Sequence, residues 1–248
     1  MYNPETETLE RLNIGNLQCL QPQKGYRFSL DAILLADFLS VKPDERLIDL
    51  GTGNGIIPLL VSVLHPVRQI VGLELQGRLQ DLAQRNVRMN NLESRIHIRQ
   101  GDLKEVSQMF HVGEFDVLCS NPPYRKIGSG RINPRSEQAI ARHEIACQLE
   151  DLLTAAKFLI KPGGRVYLIY LPERLGELVS ELRRYRLEPK KIRCVHTALQ
   201  TPASLVLIES QRDASSGLAL LPPLFLYDRD NIYSDEAKQI LRETRDNC

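Results

Sequence analysis

Paired cysteines, an excess of one charge and long apolar runs are all missing from this chain of 248 residues. Its five cysteines, Cys19, Cys119, Cys147, Cys194 and Cys248, are odd in number and form no Cys-x-x-Cys pair. That argues against a disulfide framework and a zinc site, and for buried or incidental thiols in a reducing cytoplasm. Lys plus Arg is 32 and Asp plus Glu is 31, so no global field draws the chain to nucleic acid, and any such partner needs a local patch. No apolar run approaches the ~20 residues that cross a bilayer, so no membrane partner is expected. Met1-Tyr2-Asn3-Pro4-Glu5 has neither the basic nor the apolar region of a signal peptide. Low-complexity tracts and internal repeats are absent as well.

What the chain has is alternation. The length suits one large α/β domain with a sizeable core. Residues 1–28 read as a polar, irregular arm or lid, with a short strand or hairpin near 14–20, and 29–248 as a single domain. Ser29 stands as an N-cap before Leu30, Ile33, Leu34 and Phe38, which fall at helical spacing. Strands are expected at 46–50, 69–74, 96–99, 115–120 and 165–170. Helices are expected between them at 55–64, 77–90 and 148–160, and another at 173–184. Pro58 is tolerated in the first turn of its helix, where an N–H would lack a partner anyway. Segments 192–197 and 204–210 read as a closing pair of strands. A short strand at 224–227 and a helix capped by Ser234 follow. Residues 125–145 break the pattern as a polar, basic loop, and long loops in compact domains are usually functional or disordered. The alternation predicts an α/β fold with a mostly parallel sheet covered by helices on both faces.

Two motifs stand at predicted strand ends. Asp49-Leu50-Gly51-Thr52-Gly53-Asn54-Gly55 follows the first strand, and its glycines permit a tight turn and close backbone approach to a ligand. The dinucleotide fingerprint Gly-x-Gly-x-x-Gly would need glycine where Ile56 stands. Asn121-Pro122-Pro123-Tyr124 follows the run Phe115–Cys119. Glu74 and Asp102 end the second and third strands, so all four features should meet on one rim of the sheet.

Together the two motifs resemble class I S-adenosylmethionine-dependent methyltransferases that modify exocyclic or amide nitrogens. The resemblance implies a Rossmann-like three-layer sandwich around a seven-stranded sheet, with S-adenosylmethionine as cofactor. It implies that Asp49, Gly51, Thr52, Gly53 and Gly55 border the methionine part. Glu74 and Leu75 would lie at the ribose, and Asp102 and Leu103 at the adenine, with Asn121 and Ser29 also lining the cofactor. Ser29 as a bare cap remains an equal reading. Methyl transfer is an in-line displacement at a sulfonium and needs no metal. The difficulty is an amino lone pair delocalised into the ring. The Asn121 side-chain carbonyl and the Pro122 carbonyl could accept hydrogen bonds from that group and favour a pyramidal nitrogen. Tyr124 could stack on the flat target.

The segment 25–38, the stretch Ala141-Arg142-His143-Glu144 and the terminal Tyr233-Ser234-Asp235-Glu236 carry the likeness further. They resemble the bacterial tRNA adenine-37 N6-methyltransferase family that acts on a valine tRNA. That implies tRNA as partner, with Pro123, Lys126, Arg131, Arg135, Arg142 and His143 on the substrate side. The strip Arg183, Arg184, Arg186, Lys190, Lys191 and Arg193 reads equally as a phosphate surface or as an ordinary solvated helix end. A glutamine-amide methyltransferase, an rRNA or DNA amino-methyltransferase and a noncatalytic RNA-binding module stay open as alternatives. So does the choice between monomer and weak homodimer.

Overall fold

The strands at 46–50 and 69–74 are buried from their second residue on, because both of their faces are covered. The computed structural model describes residues 2–24, 29–122, 149–228 and 232–242. An N-terminal hairpin, β1 (Glu7–Arg11) and β2 (Gln18–Pro22), precedes helix α1 (Leu30–Phe38). Strand β3 (Arg46–Leu50), α2 (Ile56–Leu64), β4 (Gln69–Glu74), α3 (Gly77–Met89) and β5 (Ile96–Gln100) follow. After a 3-10 turn at Leu103–Glu105 come α4 (Val106–Met109), β6 (Phe115–Ser120), α5 (Leu149–Leu159) and β7 (Ile160–Tyr170). The chain goes on through α6 (Leu175–Arg184), β8 (Leu187–Ala198), β9 (Ala203–Arg212), β10 (Ala219–Leu220), β11 (Leu224–Tyr227) and α7 (Asp235–Leu241).

Seven long strands run in the order β5-β4-β3-β6-β7-β9-β8, and the short β10 and β11 add to the outer edge of β8. Neighbours from β5 through β7 are parallel, whereas β9 is antiparallel to both β7 and β8. Strand order reverses between β3 and β6, which puts the ligand crevice of such a sheet at their carboxyl ends.

Two apolar cores lie on opposite faces. One joins α1, α2, part of α3 and Ile240 of α7 to the sheet through Leu35, Leu47, Leu59, Leu60 and Ile70. The other joins α4, α5 and α6 through Ile48, Leu118, Leu153, Leu168, Leu178 and Leu182. Each such fully buried side chain contributes about 1.5–3 kcal/mol. The ring of Phe38 meets Tyr167 edge-on at 6.0 Å and fixes α1 against β7.

The N-terminal arm is not irregular. Five register pairs, from Glu7↔Pro22 to Arg11↔Gln18, make it a hairpin longer than expected. Arg85 of α3 pairs with Glu7 at 2.6 Å and helps hold it down. Strand β7 also begins earlier than expected, because Ile160 pairs with Phe115 before the register shifts. The loop 125–145 and the segment 25–28 lie outside the described residues. Among the described residues, no helix is long and apolar enough to cross a membrane.

Candidate active site

The glycine turn leaves β3 and enters α2 with Gly51, Gly53 and Gly55 all in the left-handed region, at φ +74°, +58° and +81°. Side chains rarely adopt that conformation, so three of the five residues 51–55 must be glycine for this path. Gly55 has a second reason, since a Cβ there would fall 3.1 Å from Ala83 Cβ on α3. The N–H groups of Gly51 and Thr52 both donate to the Leu73 carbonyl, at 2.9 and 3.0 Å. Glu74, buried at the end of β4, accepts from the Gly53 N–H at 2.8 Å and from the Gln76 N–H at 2.9 Å. Its carboxylate therefore clamps the turn from below, with one oxygen on each partner.

Asp49 is wholly buried, between Gly72 of β4 and Cys119 of β6 in the sheet register. Burial lifts its carboxyl from the ordinary 3.8 to about 7; the Glu74 charge adds to the rise, and the Thr52 hydroxyl and Cys119 thiol oppose it. The thiol donates to Asp49 Oδ1 at 3.7 Å. Burial and the Asp49 charge in turn push the Cys119 thiol well up. Thr52 lies within electrostatic reach but does not close a hydrogen bond. Asp49 Oδ2, Thr52 Oγ1 and Asn54 Oδ1 are all buried without a hydrogen-bond partner. Buried polar atoms of this kind cost ~1–3 kcal/mol each. Three of them around one glycine turn, beside a buried carboxylate, suit a polar ligand with its own donors and acceptors.

The sheet brings the second motif to the same place. Asp49 pairs with Cys119, so the ends of β3 and β6, from which the glycine turn and Asn121 leave, lie side by side. Ser120 Oγ donates to the Leu50 carbonyl at 2.7 Å and bolts the two strand ends together. Asn121 is half-buried and Pro122 buried. Asp102 follows β5, and its side chain accepts from the Lys104 N–H at 2.9 Å, so it caps the 3-10 turn that contains Leu103. Leu75 is an exposed apolar side chain on the rim, 43% accessible. Ser29 occupies the N-cap position of α1 without a capping hydrogen bond from its side chain. Burial raises the Asp31 carboxyl and Ser29 opposes the rise. Pro123, Tyr124, Lys126, Arg131, Arg135, Arg142 and His143 lie outside the described residues.

Several residues at the site were not foreseen. A Cβ on Gly72 would fall 2.9 Å from Thr52 Oγ1 and 2.8 Å from Ile98 Cδ1, so glycine makes room for Thr52. A glycine inside an apolar strand was the available signal, since it otherwise weakens the strand. Asn86 sits on the stripe Leu79, Leu82, Ala83 and Val87 of α3 and is fully buried. A polar residue on an apolar stripe must find partners. Cys119 gave no signal beyond its place in a strand.

Five of the six residues of the basic strip are paired with acids. Arg183 pairs with Glu188, Arg184 with Glu150 and Glu181, Arg186 with Asp213, Lys191 with Glu209 and Arg193 with Glu236. Lys190 donates to the Ser215 carbonyl at 3.2 Å. This is the solvated-face reading of the strip. The terminal Tyr233-Ser234-Asp235-Glu236 likewise has structural duties. Tyr233 stacks on Tyr227 at 4.7 Å, and Ser234 caps α7.

A crossover sheet with one antiparallel strand and a glycine turn beside its reversal point is a methyltransferase architecture. The solved structure of a predicted O-methyltransferase from Agrobacterium tumefaciens superposes with a TM-score of 0.69 at 18% identity, covering 86% of this chain and 95% of that one. The chain belongs to the methyltransferase small domain family, whose model matches residues 28–173, more than half its length. Within that family it is similar to proteins named tRNA1(Val) (adenine(37)-N6)-methyltransferase. The one from Porphyromonas gingivalis is 29% identical over 92% of this chain and 90% of its own length. The one from Histophilus somni is 29% identical over 98% of both.

Proposed function

We propose that this chain transfers a methyl group from S-adenosylmethionine to the exocyclic N6 of adenine in tRNA, at adenine 37 of a valine tRNA. The observation that carries the reading is the apposition of the glycine turn and Asn121 across the β3/β6 reversal. The relatives' shared name supports the choice of nucleotide and RNA.

The residues around the turn fit the cofactor. When bound, S-adenosylmethionine supplies an electrophilic methyl on a sulfonium. Asp49, Thr52 and the backbone of Gly51, Gly53 and Gly55 hold its amino-acid end. Glu74 takes the ribose, with Leu75 beside it, and Asp102 with Leu103 takes the adenine ring. The Asn121 side-chain carbonyl and the Pro122 backbone carbonyl accept from the target amino group. These acceptors bind a nitrogen that is becoming tetrahedral better than a planar one, so they lower the barrier rather than merely binding the base. The proton released afterwards passes to water. Tyr124 stacks on the target base, and the basic side chains of 125–145 meet the RNA phosphates. Residues 29–248 act as the catalytic domain, with 1–28 as an arm on its cofactor side, in the cytoplasm.

The test is methyl transfer from labelled S-adenosylmethionine to unmodified total tRNA, followed by nucleoside mass spectrometry, with Asn121→Ala as control. N6-methyladenosine that depends on Asn121 is the expected product. Transfer to a release-factor glutamine, with none to RNA, would replace this reading by that of a protein amide methyltransferase.

A further inference from the structure

The N-terminal hairpin is fastened to α3 by side-chain amides that imitate a strand. Asn86 Oδ1 accepts from the Leu20 N–H at 2.7 Å, and Asn86 Nδ2 donates to the Leu20 carbonyl at 3.0 Å. Four residues on, Asn90 repeats the pattern with Gln18, at 2.9 and 2.7 Å. The geometry explains the spacing. Four residues of helix rise ~6 Å, and two residues of strand advance ~6.6 Å. An i, i+4 pair of asparagines therefore makes two rungs against alternate residues of β2.

Only the Asn86 rung reaches the glycine turn. Asn86 Nδ2 also donates to the Asn54 carbonyl at 2.9 Å, and Asn54 Nδ2 donates to the same Leu20 carbonyl at 3.1 Å. Both asparagines also touch the Cys19 sulfur, at 3.2 and 3.5 Å. Leu20, Asn54 and Asn86 are all buried. Hairpin, helix and turn thus meet at one carbonyl, away from solvent.

Resting on the cofactor reading above, we infer that Asn86 is a positioning residue that couples docking of the β1–β2 hairpin to cofactor binding at Gly51–Gly55. Asn86 touches no cofactor atom in this scheme; it acts through Asn54. Coupling of this kind is reciprocal, so a ligand that orders the turn also tightens the hairpin, and releasing the hairpin weakens the ligand.

The experiment joins hydrogen-exchange mass spectrometry with calorimetry on the full chain, using S-adenosylhomocysteine as probe. In the wild type the probe slows exchange across 17–22. Asn86→Ala raises the probe's Kd about tenfold, the scale of one or two lost buried hydrogen bonds, while kcat at saturating cofactor stays within about threefold. Asn90 bonds Gln18 of the hairpin and the Asn86 carbonyl, the latter at 2.8 Å, but not the turn itself, so Asn90→Ala raises exchange in 17–22 and Kd by a smaller factor. It serves if Asn86→Ala does not fold. A purely structural role would lower the melting temperature and leave Kd unmoved, and that result overturns the coupling. So does a wild type that binds the probe with no change in exchange at 17–22. A wild type that does not bind the probe at all overturns the cofactor reading itself, and the coupling with it.

Discussion

Two ends of the same sheet treat carboxylates in opposite ways. At β8 and β9, Glu188, Glu209 and Asp213 each meet an arginine or lysine, with Lys191–Glu209 at 2.8 Å and Arg186–Asp213 at 2.8 Å. At β3 and β4, Asp49 and Glu74 are buried deeper, and among the described residues no cation pairs with either. Glu74 is spent on backbone N–H groups, and one oxygen of Asp49 has no partner. Acids matched to cations hold a scaffold together. Acids buried without them cost stability, and such groups cluster where a site must receive a ligand.

Four variants test that contrast. The largest effect belongs to the reversal point between the two ends. Asn121→Ala should cut kcat about a hundredfold to a thousandfold, the usual scale for losing one transition-state hydrogen-bonding group. Its Kd for S-adenosylhomocysteine should stay within about threefold, measured by calorimetry. Equal losses in turnover and binding would place Asn121 with the cofactor rather than with the acceptor. Next is Glu74→Gln, which sets an amide against the N–H of Gly53 or Gln76. Cofactor Kd should rise about tenfold to a hundredfold, in keeping with hydrogen bonds to a charged acceptor. An unchanged Kd would make Glu74 a scaffold acid like those of β9.

Asp49→Asn addresses pH. The folded carboxyl titrates near 7 against an ordinary 3.8, so between those values the folded chain holds a proton that the unfolded chain has lost. The stability this group contributes is therefore present in acid and lost as pH rises through about 7. Thermal melts from pH 5 to 8 should show the wild type losing ground to Asp49→Asn as pH rises. A pH-independent gap would mean that Asp49 titrates normally. The smallest effect belongs to the far end. Replacing Arg183 and Arg184 together by alanine should leave KM for tRNA within about twofold, because exposed, already paired cations offer little to a phosphate. A large rise would return the strip to the RNA surface.

The sequence was most legible where burial was complete. Strands 46–50, 69–74, 115–120 and 224–227 stand where they were expected. The first three are apolar runs bounded by turn residues, and packing adds nothing that contradicts the pattern. β1 was illegible because Glu-Thr-Leu-Glu-Arg has no apolar alternation; it is a strand through its pairing with β2 and the Arg85–Glu7 bridge. β7 and β8 begin earlier than expected and contain Pro162-Gly163-Gly164 and Pro189, residue types that seldom lie inside a strand. In the fold, Ile160 still pairs with Phe115, and Leu187 with Arg212. The site shows the same split. Its glycines and carboxylates announce themselves by type and place, whereas Gly72 and Asn86 matter through neighbours that only the fold supplies.

The β3–β6 pairing also carries a kinetic consequence. Asp49 and Cys119 are partners across 70 positions of sequence, whereas β8 and β9 are joined through residues 199–202 alone. Closing a long loop costs more entropy before any contact rewards it, and pairings of distant segments form late. The hairpin end of the sheet can therefore assemble as soon as its own residues are present. The seam that unites the two motifs must first close a loop of 70 positions, so when the whole chain refolds its ligand crevice forms after that hairpin.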